Sequence, residues 1–310
     1  MFYLFFKLLL LTNIVLASEQ QDIQMACEPF LSQVEPEHQS KPSTNIKYKT
    51  GLLWEIETPN GKTNYLFGTM HSQDYAVSKY PPPVRLALVK SKVLLMETVP
   101  DERASQSFIN NIYFKDNEKL NEILETPFYE ELKLRIKGYG VEQEQVSKLK
   151  PWAAFSLIGR PRPVRAPTLE YNLMKTAEQF QLEIKSLETM DEILSALDEL
   201  SMEDQLVILK DTICNHDKII SDTKQLVDLY VARDLQGIVD FNKQPHYDEG
   251  VFKRFMENIL YKRNIKMLKR IESAYETGGV FVAVGASHLA EEKGLLNQLS
   301  KKNYKITQIY

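Results

Sequence analysis

Val280-Phe281-Val282-Ala283-Val284-Gly285-Ala286-Ser287-His288 is the most informative stretch of this 310-residue chain. A continuous apolar run rich in β-branched valine is what a strand buried on both faces looks like. The glycine at its end lets the backbone turn sharply or approach a neighbour closely. The histidine three residues on can then look back over the carboxyl end of the strand. Tyr65-Leu66-Phe67-Gly68-Thr69-Met70-His71 repeats the arrangement. Two further runs end in a reactive side chain: Val93–Met96 leads into Glu97, and Ile184–Leu187 into Glu188.

Each of these runs is followed by a helical or turn segment, which predicts an α/β fold: a mixed, largely parallel sheet flanked by helices. Ligands of open α/β sheets bind outside the carboxyl ends of the strands, so a shared sheet would bring all four side chains to one edge. Two neutral imidazoles and a carboxylate suit a divalent metal ion such as manganese, cobalt or zinc. The metal ligands expected are His71, Glu97 and His288. A bound cation makes hydroxide available near neutral pH, and a spare carboxylate, Glu188, can move the proton. Each motif also has an ordinary reading. A lone Gly-x-x-His is a common turn, and Glu188 equally suits the N-terminus of a helix starting near Met190. His38, His216 and His246 sit in polar contexts and read as surface residues.

Around this frame the chain is organised in order. The apolar run of residues 1–17, with Lys7 inside it and Ala17-Ser18 at its end, reads as an export signal; an uncleaved anchor is the other reading. Residues 18–46 read as a loose polar leader and 47–310 as one domain. Asn60-Gly61 between two β-rich runs predicts a hairpin. Residues 104–160 read as a helical insert over the cleft, with Thr126 as an N-cap, Pro127 in the first turn and Gly138 as a stop. Further helices are expected at Leu169–Phe180, after a capping box at Ser201–Asp204, and over Val251–Glu276.

The net charge of −4 becomes −5 once the signal, and Lys7 with it, is removed. No basic stripe marks a nucleic-acid binder. No membrane span is expected after signal cleavage. Cys27 and Cys214 are the chain's two cysteines. Export permits a disulfide between them or leaves two free thiols.

The motifs taken in order resemble the TraB/GumN family, which includes the membrane-tethered TIKI metalloproteases. The opening motif is Gly51-Leu52-Leu53-Trp54-Glu55-Ile56 with Tyr65–His71, and the closing one is Gly285-Ala286-Ser287-His288-Leu289 with Gly294-Leu295-Leu296. Between them stand Leu95-Met96-Glu97, Leu187-Glu188-Thr189 and Arg263-Asn264. The resemblance implies an erythromycin-esterase/ChaN-like fold and a metal-dependent peptidase acting through His71, Glu97 and His288. Arg263 and Asn264, otherwise a pair on a charged helix, become polar support, with Arg263 placed to stabilise an oxyanion. It equally implies a non-catalytic reading, a peptide- or haem-binding protein of the exported compartment, periplasmic or secreted. A third reading is an esterase-like hydrolase using a histidine base without metal. Ser287, Glu291 and Asn303 replace residues that are commonly glycine in the family. Glu291 thereby adds a carboxylate near His288.

Overall fold

The computed structural model describes residues 21–31, 45–99, 101–244 and 247–310. The expected export signal, His38 and His246 lie outside them. Six strands form one sheet: β1 Leu53–Glu57, β2 Thr63–Thr69, β3 Val93–Met96, β4 Glu183–Ser186, β5 Val280–Gly285 and β6 Lys305–Gln308. Their order is β4-β3-β5-β2-β1-β6. The four strands from β4 to β2 are parallel neighbours, while β1 runs antiparallel to both β2 and β6. The fold is the mixed, largely parallel α/β arrangement that the apolar runs predict, and Asn60-Gly61 turns the β1–β2 hairpin.

Burial follows position in the sheet. Every residue of β5 from Val280 to Val284 is buried, as a central strand covered on both faces requires. β4 is different. It is an edge strand of mixed exposure, which explains why Lys185 and Ser186 interrupt its apolar run.

Helices cover the sheet and extend beyond it. Leu169–Gln179 packs Leu169, Leu173 and Ala177 into the sheet core. A second cluster forms away from the sheet around Trp152, Leu132, Ile136, Leu209 and Ile213. Residues 21–31, which composition reads as loose leader, are a helix that joins this second cluster through Cys27 and Phe30. A Cys27–Cys214 disulfide ties that helix down. The reciprocal capping box belongs to Thr189 and Glu192. At Ser201 only the side chain caps, accepting from Asp204 N–H at 3.1 Å. The helix predicted at Thr126 has Glu125 as its N-cap, one residue earlier than expected.

The stretch expected as one helix from Val251 is three pieces in line. A π-helical turn, Glu257–Tyr261, separates helix Glu249–Met256 from helix Lys262–Tyr275. Such a turn rephases the side chains that follow it, and Arg263 and Asn264 come directly after. Asn303 takes a positive φ of 65° ahead of the last strand, a conformation asparagine tolerates better than most residues.

Candidate active site

Register places the motifs side by side. Thr69 of β2 pairs with Gly285 of β5, so the two Gly-x-x-His turns leave the sheet as neighbours. Gly68 has no room for a side chain: a Cβ there would lie 2.6 Å from Leu289 Cδ1 and 3.2 Å from Ala286 Cα. The first turn packs directly on the second because of it. On the other side of β5, β3 and β4 end level with each other. Leu187 N–H donates to Met96 O at 2.7 Å and Glu188 N–H to Glu97 O at 2.8 Å. That ladder holds the two glutamates abreast.

Arg263 reaches in from its helix and joins them. Its Nη2 lies 2.7 Å from Glu97 Oε2 and 2.9 Å from Glu188 Oε2, and its Nε donates to Glu188 Oε2 at 3.0 Å. Nη1 donates to Ile259 O at 3.1 Å, across the π-helical turn. The guanidinium side chain is 12% exposed, and that of Glu188 is wholly buried. Both oxygens of Glu188 face Arg263. In this geometry Glu188 anchors the arginine. Arg263 in turn directs Nε and Nη2 to the two carboxylates and Nη1 to Ile259 O.

Glu97 Oε1 points the other way. It accepts from Gly285 N–H at 2.6 Å and faces His288 Nε2 at 3.8 Å. A Cβ on residue 285 would stand 3.3 Å from that oxygen, so glycine keeps the approach open. Burial opposes ionisation of Glu97, but its hydrogen bonds and neighbouring charge outweigh it and hold the carboxyl down at about 2. Burial depresses the His288 imidazole to about 4, so it is neutral at pH 7; its charge adds to the pull of Arg263 on Glu97 only in acid. Burial pushes the Glu188 carboxyl up, against the pull of Arg263.

Asn264 decides which imidazole nitrogen is free. Its Nδ2 donates to Lys293 O at 3.0 Å, which turns Oδ1 towards His288 Nδ1 at 2.6 Å. Nδ1 therefore carries the proton, and Nε2 presents a lone pair. A lone pair and a carboxylate oxygen face each other across the 3.8 Å gap. That pair is suited in chemistry and tautomer to a divalent cation.

His71 stands apart. Its side chain is 70% exposed, and its Nδ1 lies 3.4 Å from Glu170 Oε2. The Glu170 contact raises the imidazole's pKa. Among the described residues no three His, Cys, Asp or Glu side chains stand together at metal-ligand spacing. Glu97 and His288 face each other, and His71 does not join them. Glu170 is a residue that the motifs did not single out. It lies in the first turn of the helix capped by Thr168, nearly a hundred residues from His71, and no local pattern connects the two.

Two other expectations change. His216 is buried, with Nδ1 against Arg135 and Asp217, where its polar sequence context predicted a surface residue. Glu291 is engaged elsewhere: Tyr261 Oη donates to its Oε2 at 2.9 Å, and Lys243 Nζ lies 3.2 Å from the same oxygen. It faces those groups, and the Glu97–His288 gap has no contact from it.

No curated protein and no solved structure matches the chain. The model of the TraB/PrgY/gumN family matches residues 52–308, from the strand before the first Gly-x-x-His turn to the last strand of the sheet. With the motifs in order along a match of that extent, the chain belongs to the TraB/PrgY/gumN family.

Proposed function

We propose that this protein is a divalent-metal-dependent hydrolase, with peptide bonds as its substrate class. The observation that carries the reading is the Glu97 Oε1–His288 Nε2 pair, two lone-pair donors held 3.8 Å apart at the carboxyl ends of parallel strands. His71, exposed on the adjacent turn, supplies the third donor by rotating its side chain. When bound, the cation polarises the scissile carbonyl and makes hydroxide available near pH ~7. The chain's own residues do the rest. Asn264 keeps Nε2 of His288 unprotonated, Arg263 keeps Glu97 ionised, and Glu188 keeps Arg263 in place. Peptide as substrate rests on the resemblance to the TIKI proteins. An exported location accompanies the proposal, supported by the apolar run at 1–17 and by the Cys27–Cys214 disulfide. No helix among the described residues is long and apolar enough to cross a membrane.

The outlying position of His71 favours one alternative, a binding protein of the exported compartment that holds a peptide or haem without turnover. Elemental analysis of the mature protein separates the two. Near-stoichiometric manganese, cobalt or zinc in the wild type, lost in folded His288→Ala and Glu97→Gln and weakened in His71→Ala, supports the hydrolase. A wild-type protein that retains none of these metals after loading sinks it.

A further inference from the structure

A cavity of about 630 Å³ has none of Glu97, Arg263 and His288 in its lining. Its walls come from the helices Pro151–Ile158, Met202–Cys214, His216–Val231 and Glu249–Met256. The volume suits a small organic ligand or one bulky side chain. Phe155, Phe241, Phe252, Phe255 and Leu226 make the lining largely apolar and aromatic.

The charged side chains on the wall are Lys218, Asp222, Asp248 and Asp211. Lys218 and Asp222 pair with each other. Asp248 is used as a helix cap, accepting from Val251 N–H at 2.9 Å. Asp211 is left. Its carboxylate accepts from Asn215 Nδ2 at 2.8 Å, and the nearest cation on the wall, Lys218, pulls on it electrostatically while its ion pair is made with Asp222. A carboxylate set in a largely apolar wall without an ion pair of its own is costly. Burial raises its pKa to about 6, so it is ionised at neutral pH. Aromatic faces attract cations electrostatically, most strongly where water is displaced.

We propose that this cavity binds an organic ammonium ion carried on an apolar body, with Asp211 as its counter-ion and the phenylalanine rings as its walls. The inference does not rest on the hydrolase reading, since it predicts binding and not turnover. The cavity also reaches Ser287, the residue before His288, so an occupant lies against the turn that carries the candidate site.

Calorimetric titration of the mature protein with phenylbutylamine, phenylbutanol and phenylbutyrate tests it at about pH 8, where Asp211 is ionised. The amine should bind about tenfold or more tighter than the alcohol, and the anion weakest. In Asp211→Asn, with fold checked by circular dichroism, amine and alcohol should bind alike. Phe255→Leu should weaken both. A lysyl peptide amide flanked by phenylalanine is the competing probe. If it displaces the amine, the natural ammonium is a peptide side chain; if it does not, it is a small amine. Equal binding of amine and alcohol by wild type, no binding of either, or an amine preference that survives Asp211→Asn overturns the proposal.

Discussion

Asn264 Oδ1 lies 2.6 Å from His288 Nδ1, with the asparagine's amide nitrogen committed to Lys293 O. The relationship sets the tautomer of a buried imidazole without adding charge. Asn264→Leu removes the acceptor at similar volume and frees either nitrogen to carry the proton. Loss of such an outer hydrogen bond typically weakens metal affinity about 10–100-fold. We expect that loss in metal titrations. It should come with about 1–3 kcal/mol of destabilisation from the groups left unpaired. Asn264→Asp, which keeps an acceptor, should retain more metal than Asn264→Leu. Equal retention in both would remove the tautomer argument.

Arg263 neutralises two carboxylates at once. Arg263→Met leaves Glu97 and Glu188 facing each other in the interior. Removing one partner of a buried ion pair costs about 3–5 kcal/mol, and urea unfolding near neutral pH should show a loss of that size. Adding Glu188→Gln to Arg263→Met removes one of the two uncompensated charges and should recover part of it. No recovery in the double variant would mean that Glu188 is not what anchors Arg263.

Asp211 makes stability depend on pH in an unusual direction. Its folded pKa of about 6 exceeds its ordinary value of 3.8 because burial disfavours the charged form. A raised carboxyl binds more protons in the folded state, so this group's contribution falls as pH rises through that window. Above it the cost reaches about 3 kcal/mol at most, at roughly 1.4 kcal/mol per unit. Asp211→Asn should therefore be more stable than wild type above about pH 6, with the difference shrinking through mild acid and nearly gone below about pH 4. Thermal unfolding across pH reads this directly. A difference that does not change with pH would rule out titration of Asp211 as the cause.

The Cys27–Cys214 bond closes a loop with a sequence separation of 187. Removing a native disulfide typically costs about 2–5 kcal/mol, and a loop this long lies at the upper end. Beyond the bond, the helix at 21–31 is held by Phe30 against Phe128 and Tyr247, at centroid distances of 5.9 and 4.1 Å. The double variant Cys27→Ser, Cys214→Ser should lose stability in that range and become cleavable near residue 31 under limited proteolysis. Its Glu97–His288 geometry, on the far cluster, should keep any metal affinity. Unchanged stability on reduction would mean that packing alone holds the helix.

The sequence by itself determined the strands and their ends. Val280–Val284 is apolar throughout because β5 is covered on both faces. Gly68 and Gly285 are glycine because a Cβ would meet Leu289 in one case and crowd Glu97 in the other. These are local demands of a buried parallel strand and a tight exit, and they leave a mark in neighbouring residues. The helical character of Lys262–Tyr275 was legible for the same reason. What tertiary structure decided was who meets whom. Arg263 could be read as a solvated helix charge, and only the sheet edge and the π-helical turn before it bury it between Glu97 and Glu188. His71 and His288 share a motif, yet one is exposed beside Glu170 and the other is buried against Asn264. Those partners lie far along the chain. Ion pairs and tautomers depend on distances across elements, and a local pattern of residue types does not encode them.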